Sequence, residues 1–170
     1  TMLTGLDLAT SSEEWIPESL QGIAALAQHH GIPTRLLDWS FNPLVACYFA
    51  SAQSSANELA IWASKLDWLP RELDVVVPPY AQNPNLRAQE GVFTTVRAPF
   101  PALDDGTAVN RLPQDSHPQG LGESPFICFV LPRSEARLLR ARINGMGINA
   151  ARLFPGYDGV VMNLREQMSD

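Results

Sequence analysis

Residues 28–40 read Gln-His-His-Gly-Ile-Pro-Thr-Arg-Leu-Leu-Asp-Trp-Ser, and this block is the strongest constraint that the sequence places on fold and function. Core strands normally alternate apolar and polar residues or are apolar throughout. Here Arg35 and Asp38 interrupt an otherwise apolar run. Burial of charge is costly unless the group is paired and hydrogen-bonded. The block therefore predicts either a structural ion pair or a binding site.

The block divides into a helix end, a turn and a strand. Apolar residues are spaced for one buried helical face over residues 20–27, and Gly31 with Pro33 two residues later predicts the helix end. Residues 34–39 then read as a strand. In a regular strand Arg35 and Asp38 point to opposite faces, so a direct pair would need a bulge. We therefore favour separate partners for the two charges, with the structural pair as the alternative.

The remainder of the chain alternates helical and strand patterns. Asn42-Pro43 predicts an N-cap and first turn, followed by a nearly all-apolar helix to residue 52. Further strands are predicted at residues 58–63, 73–77, 91–96 and 126–131, and further helices at residues 134–144, at residues 149–153 and from residue 158 onward. Residues 98–125 are rich in Pro, Gly, Asp and Gln and read as a long surface loop. The predicted class is α+β, with a mixed, mainly antiparallel sheet of about five or six strands and flanking helices.

Composition bounds the function. A chain of 170 residues fits one domain, and a net charge of −6 does not suit a non-specific nucleic-acid binder. Four arginines cluster between residues 133 and 142, and a solvated helix face is favoured there over a phosphate-binding surface. No apolar run reaches the ~18 residues needed to span a bilayer. Cys47 and Cys128 lie in apolar stretches and read as buried thiols, and no secretory signal is visible, so the predicted location is cytoplasmic.

The block and its continuation, Asn42-Pro43-Leu44-Val45-Ala46 and Tyr48-Phe49-Ala50, resemble the signature of the FRG domain family. Two weaker blocks, at residues 87–94 and 153–159, resemble later motifs of that family and occur in the same order. The family's aromatic-Arg-Gly motif does not precede His29 here. We therefore expect residues 1–170 to form a single FRG-like domain that lacks this upstream segment, either as the C-terminal part of a longer protein or through loss of the element.

The layout is also similar, by fold analogy, to that of ADP-ribosyltransferases. In the Arg-Ser-Glu branch of that superfamily, an arginine strand precedes a strand ending in Ser or Thr, then a helix of Ala-x-x-Phe-Ala character, and a glutamate begins a later strand. Here Ser40 ends the second of these elements, and Glu90 precedes the strand from Gly91. The resemblance implies NAD as the substrate and transfer of ADP-ribose or cleavage of NAD.

The chemistry requires a cation or helix N-terminus for the phosphates of NAD and a carboxylate for the oxocarbenium-like ribose. A histidine can act as a base near neutral pH, and an aromatic ring can stack on a base. The predicted catalytic residues are Glu90, His30 and Arg35. The predicted substrate-binding residues are Gly31, Thr34, Asp38, Trp39, Ser40, Gln89 and Phe93. No metal site is predicted, because the histidines are adjacent and the cysteines lack ligand spacing.

Each assignment has an alternative. His29 and His30 would also complement the dipole of the helix end, and Trp39 is more often a core residue than a ligand platform. Gln89 would face inward if Glu90 is a solvated residue at the strand edge. Two functions stay open. The first is an NAD-consuming enzyme, such as a toxin or defence effector, acting on a protein or nucleic-acid target. The second is a non-catalytic FRG module that binds a protein or nucleotide.

Overall fold

A computed structural model describes residues 18–52, 57–69, 73–96 and 125–169. In chain order the elements are α1 Glu18–His29, β1 Leu37–Ser40, α2 Pro43–Ala52, β2 Glu58–Ser64, β3 Leu73–Val76, α3 Pro84–Ala88, β4 Gly91–Val96, β5 Phe126–Pro132, α4 Ala136–Gly145, α5 Ala150–Leu153 and α6 Tyr157–Ser169. Single 3-10 turns lie at Leu66–Trp68, Tyr80–Gln82 and Arg133–Glu135. The α+β class is confirmed.

The described strands form two small antiparallel sheets. One sheet has three strands in the order β1-β4-β3, and the other pairs β2 with β5 along their whole lengths. A single sheet of five or six strands is therefore not formed by the described part of the chain. The residue pattern of a strand predicts that the segment is extended, whereas the register with distant segments determines which strands pair. The likeness to ADP-ribosyltransferases stays a prediction.

Helix ends follow the local signals in the sequence. Gly31 has a φ of 82°, and the Ile32 amide donates to the Ala27 carbonyl at 3.0 Å, which closes α1 with a left-handed cap. The Asn42 side chain accepts from the Leu44 amide at 3.0 Å and begins α2 as predicted. The same Asn-Pro pattern at Asn83 begins α3, a short helix that the sequence reading did not predict.

Two clusters of buried apolar side chains hold these elements together. The first packs α2 against α4, α5 and the loop before α5 and contains Val45, Tyr48, Ile143, Ile148, Ala150 and Leu153. The second packs the three-stranded sheet against α1 and α3 and contains Ala25, Leu36, Val76, Leu86 and Phe93. Burial of a large apolar side chain stabilises a fold by about 1.5–3 kcal/mol. Since β1 leads directly into α2, the end of β1 lies where the two clusters meet.

A partly buried hydrogen bond fastens the C-terminal helix to this core. The Tyr48 hydroxyl donates to the Glu166 carboxylate at 2.7 Å and so joins α2 to α6. Burial raises the pKa of Tyr48, and the hydrogen bond to Glu166 and its negative charge raise it further. Tyr48 is therefore a neutral hydrogen-bond donor under ordinary conditions.

Several local predictions need correction. The strand predicted from residue 34 begins at Leu37, because the Leu36 amide donates to the Thr34 hydroxyl at 3.1 Å and shapes a turn. Ser134 is predicted to cap a helix, but that helix begins at Ala136 with Glu135 at the cap position, after a 3-10 turn. Cys47 is half-buried, but Cys128 is exposed on β5 rather than buried. Residues 98–124 of the predicted surface loop lie outside the described residues.

Within the described ranges, none of the helices has the length and apolar character required to cross a bilayer.

Candidate functional site

The end of β1 and the start of β4 bring two separated segments into contact. Ser40 pairs with Gly91 in the antiparallel register, so residues 89 and 90 lie beside residues 40–42. The Ser40 hydroxyl donates to the Gln89 carbonyl at 2.7 Å, and the Phe41 amide donates to the Glu90 carbonyl at 3.1 Å. We call Ser40, Phe41, Asn42, Gln89 and Glu90 the β1–β4 junction.

Three side chains of the junction hold the protein's own elements in place. The Ser40 hydroxyl also accepts from the Asn42 amide at 3.0 Å, so it is used as both donor and acceptor. The Gln89 side-chain amide donates to the Leu153 carbonyl at 3.2 Å and ties the junction to α5. Asn42 caps α2 with its oxygen, and its Nδ2 donates to the Glu90 carboxylate at 3.1 Å. The sequence reading had not assigned Asn42 to the site.

Glu90 adopts an unusual backbone conformation at this junction. Its φ is 49°, the one positive φ of a non-glycine residue among those described, and its side chain is exposed. A left-handed conformation costs an L-residue roughly 1–2 kcal/mol, and such strain clusters at functional sites. The fold thus presents a carboxylate to solvent at a position where glycine would be the less strained residue.

We expect Glu90→Gly to stabilise the protein by about 1 kcal/mol or less, because relief of the left-handed strain exceeds the added entropy of the unfolded chain. Glu90→Ala keeps the strained φ and is expected to give no such gain. Urea denaturation of the two variants beside the wild type measures the difference. Equal stability of the glycine and alanine variants would contradict a strained backbone at this residue.

A second polar group lies at the other end of the block, where α1 meets β1. Gln28 is its centre: the side-chain nitrogen donates to the Leu36 carbonyl at 3.0 Å and to the Asp38 carboxylate at 2.7 Å. The Thr34 hydroxyl donates to the Gln28 side-chain oxygen. We call Gln28, Thr34, Leu36 and Asp38 the Gln28 network. The sequence reading gave Gln28 no role, although it lies in the last turn of α1, next to the histidines.

Electrostatic coupling in this region joins Asp38 to His29. Partial burial raises the pKa of Asp38, against the opposing effects of the Gln28 hydrogen bond and the charge of His29. Burial and the neighbouring charge of His30 lower the pKa of His29, against the opposing effect of Asp38. The two imidazole rings are edge-on, with centroids 5.6 Å apart. His30, the predicted base, is exposed, whereas the half-buried His29 is the histidine whose pKa Asp38 influences.

We expect Asp38→Asn to lower the pKa of His29 further, because it removes the negative charge that favours the imidazolium form. The substitution also changes stability. The pKa of Asp38 is higher in the folded state than in the unfolded state, so the wild type loses stability as pH rises above the ordinary aspartate pKa. Asparagine does not titrate, and the Asp38→Asn variant should therefore become more stable relative to the wild type in that pH range. NMR titration of the imidazole measures the first effect. Asp67→Asn, in an exposed turn, is the control, and an unchanged His29 pKa in Asp38→Asn would contradict the coupling.

The two aromatic residues predicted to stack on a ligand are engaged in packing. The Trp39 indole nitrogen donates to the Thr94 hydroxyl at 2.8 Å, and its ring stacks on Phe126 with centroids 6.1 Å apart. These contacts lie on the opposite face of β1 from Asp38 and Ser40, as strand alternation requires. Phe93 is 1% exposed and belongs to the core.

The predicted residues thus fall into two groups along one strand. Ser40, Gln89 and Glu90 meet at the β1–β4 junction, and Thr34 and Asp38 meet in the Gln28 network. Asp38 and Ser40 share a face of β1 about 7 Å apart, since a strand rises ~3.3 Å per residue. Gly31 lies in the exposed turn after α1, and Arg35 is half-buried in the turn that precedes β1. Among the described residues, no three His, Cys, Asp or Glu side chains are grouped to hold a metal ion.

The FRG domain family model matches residues 6–58, which include the whole of the Gln28–Ser40 block and α2. This match supports the resemblance to the FRG family over that part of the chain. The two weaker blocks and Glu90 lie beyond the matched residues. No curated protein and no solved structure matches the chain.

Proposed function

We propose that this chain is an FRG-type domain that binds NAD along the exposed side of β1 and cleaves it, by transfer of ADP-ribose or by hydrolysis. The observation that carries the proposal is the exposed Glu90 carboxylate, held by Asn42 on a strained backbone beside the serine that ends β1. In the Arg-Ser-Glu pattern these two positions are far apart in sequence. Antiparallel pairing of β1 with β4 makes them neighbours.

The proposed reaction begins with cleavage of the bond between C1′ of the ribose and the nicotinamide nitrogen. Nicotinamide leaves with the bonding electrons, and positive charge develops on C1′. The Glu90 carboxylate stabilises that charge, and the Asn42 amide fixes the orientation of the carboxylate. A water molecule or a hydroxyl, amine or thiol of a target then forms the new bond to C1′ and loses its proton. Arg35, in the turn before β1, supplies a positive charge that suits the pyrophosphate.

A non-catalytic FRG module that binds a protein or a nucleotide is the second candidate. It is favoured by the number of side chains in the region whose hydrogen bonds hold the protein's own elements together. Ser40, Gln89 and Gln28 all do so. In that case the hydrogen-bonded geometry of these side chains would serve to shape a surface rather than to stabilise a transition state.

Calorimetric titration with NAD and assay of nicotinamide release, both on the full-length natural protein, test the proposal. Binding accompanied by nicotinamide release is the expected result. Incorporation of label from adenine-labelled NAD into protein or nucleic acid separates transfer from hydrolysis. Binding without release would favour the non-catalytic module, and neither binding nor release would overturn the NAD proposal.

A further inference from the structure

Phe41 is an exposed aromatic residue at the centre of the β1–β4 junction. Half of its surface (50%) is accessible, although it lies between two residues whose side chains are hydrogen-bonded. Its own amide donates to the Glu90 carbonyl at 3.1 Å. This hydrogen bond fixes the backbone of Phe41 beside Glu90, the residue that carries the candidate catalytic carboxylate.

A single exposed phenylalanine needs no special explanation in general. Phe41 differs because the neighbouring aromatic side chains are already used. Trp39 stacks on Phe126, and Phe93 is in the core. The half-buried Tyr80 packs against that core, and its hydroxyl donates to the Gly91 carbonyl at 2.9 Å. Phe41 is therefore the accessible aromatic ring of the β1–β4 junction, where it could contact a ligand bound beside Glu90. Phenylalanine has only two side-chain torsions, so little entropy is lost when it is held against a ligand.

We infer that Phe41 is the surface on which a planar ring of the bound dinucleotide stacks, and that it contributes to the affinity for NAD. This inference rests on the proposed function and adds a specificity-determining residue to it. Stacking of a base on an aromatic side chain, assessed by alanine substitution, corresponds to a loss of affinity on the order of tenfold. Phe41 holds the ring, and Glu90 acts on the adjacent ribose.

The test compares NAD affinity in the wild type, Phe41→Ala, Phe41→Leu and Phe41→Trp by calorimetry. We expect about a tenfold loss for alanine, a loss for leucine as well because it lacks a planar face, and retention of affinity for tryptophan. The fluorescence of the new tryptophan should change on addition of NAD. Phe129→Ala is the matched control, since Phe129 is 57% exposed but lies on β5 in the other sheet.

Fragments of the dinucleotide identify the ring. If nicotinamide stacks on Phe41, the alanine variant binds nicotinamide mononucleotide more weakly than the wild type does and binds ADP-ribose normally. Stacking of adenine gives the converse, and either result supports the inference. Wild-type affinity for NAD in a folded Phe41→Ala variant would overturn the inference and leave the proposed function intact. Failure of the wild type to bind NAD would overturn both.

Discussion

Replacement of Gly159 by alanine is expected to destabilise the protein by about 3 kcal/mol, because the new methyl group has no space. Gly159 is buried in the first turns of α6, against the end of α5. An alanine Cβ there would overlap the carbonyl oxygen of Phe154, and would lie 2.8 Å from the Phe154 carbonyl carbon and 2.9 Å from the Ala150 oxygen. These are backbone atoms, so relief requires that α5 and α6 move apart. Urea denaturation monitored by far-UV circular dichroism measures the loss.

Gly22→Ala is the matched control for this effect. Gly22 lies inside α1, and beyond the backbone of its own helix no atom of the described residues lies within 4 Å of the Cβ that alanine would add. Since alanine is the better helix former, this variant should be more stable than the wild type by about 1 kcal/mol or slightly less. A Gly159→Ala protein as stable as the wild type would show that α5 and α6 do not pack as closely as described.

Replacement of Glu90 by glutamine is expected to reduce nicotinamide release by about 100- to 1000-fold, the usual cost of removing one group that stabilises transition-state charge. Glutamine has nearly the same shape, and its side-chain oxygen can still accept the hydrogen bond from Asn42. The fold and the binding of NAD should therefore persist while the negative charge is lost. Single-turnover measurement of nicotinamide release at saturating NAD, together with calorimetry, separates the two effects.

Glu58→Gln provides the control, because Glu58 is an exposed glutamate at the start of β2, in the other sheet. The binding-module alternative makes the opposite forecast: Glu90→Gln leaves the biological effect intact, and Arg35→Ala abolishes binding. Unchanged nicotinamide release in Glu90→Gln would remove Glu90 from the catalytic role. Loss of both binding and release would instead assign Glu90 to ligand binding.

Much of the secondary structure could be predicted, because it depends on signals a few residues apart. The Asn42-Pro43 cap placed the start of α2, and Gly31 placed the turn after α1. The equivalent cap at Asn83 was available in the sequence, yet α3 is only five residues long and has little apolar periodicity. Assembly of the strands into two sheets depends on contacts between distant segments, which the pattern of each strand does not contain.

Part of the candidate site could likewise be predicted from the sequence, and the rest depends on contacts between distant segments. The sequence supplied the Ser40 and Glu90 positions through their order, but the antiparallel register of β1 with β4 makes them neighbours. Trp39 and Phe93 are suitable stacking residues by type, and only packing shows that both are occupied and that Phe41 is exposed. Likewise, only the tertiary structure shows that Asp38 lies close enough to His29 to influence its pKa.

The sequence by itself determined that Gln28 to Ser40 forms a helix end, a turn and a strand, because capping residues and side-chain alternation act locally. It also carried the resemblance to the FRG family in the matched residues. The tertiary structure decided which polar groups meet: Gln28 with Asp38, and Asn42 with Glu90. Those contacts join residues 10 and 48 positions apart, and their geometry follows from packing of α1 against the three-stranded sheet and from pairing of β4 with β1. Burial and hydrogen bonding between distant segments cannot be read from local spacing.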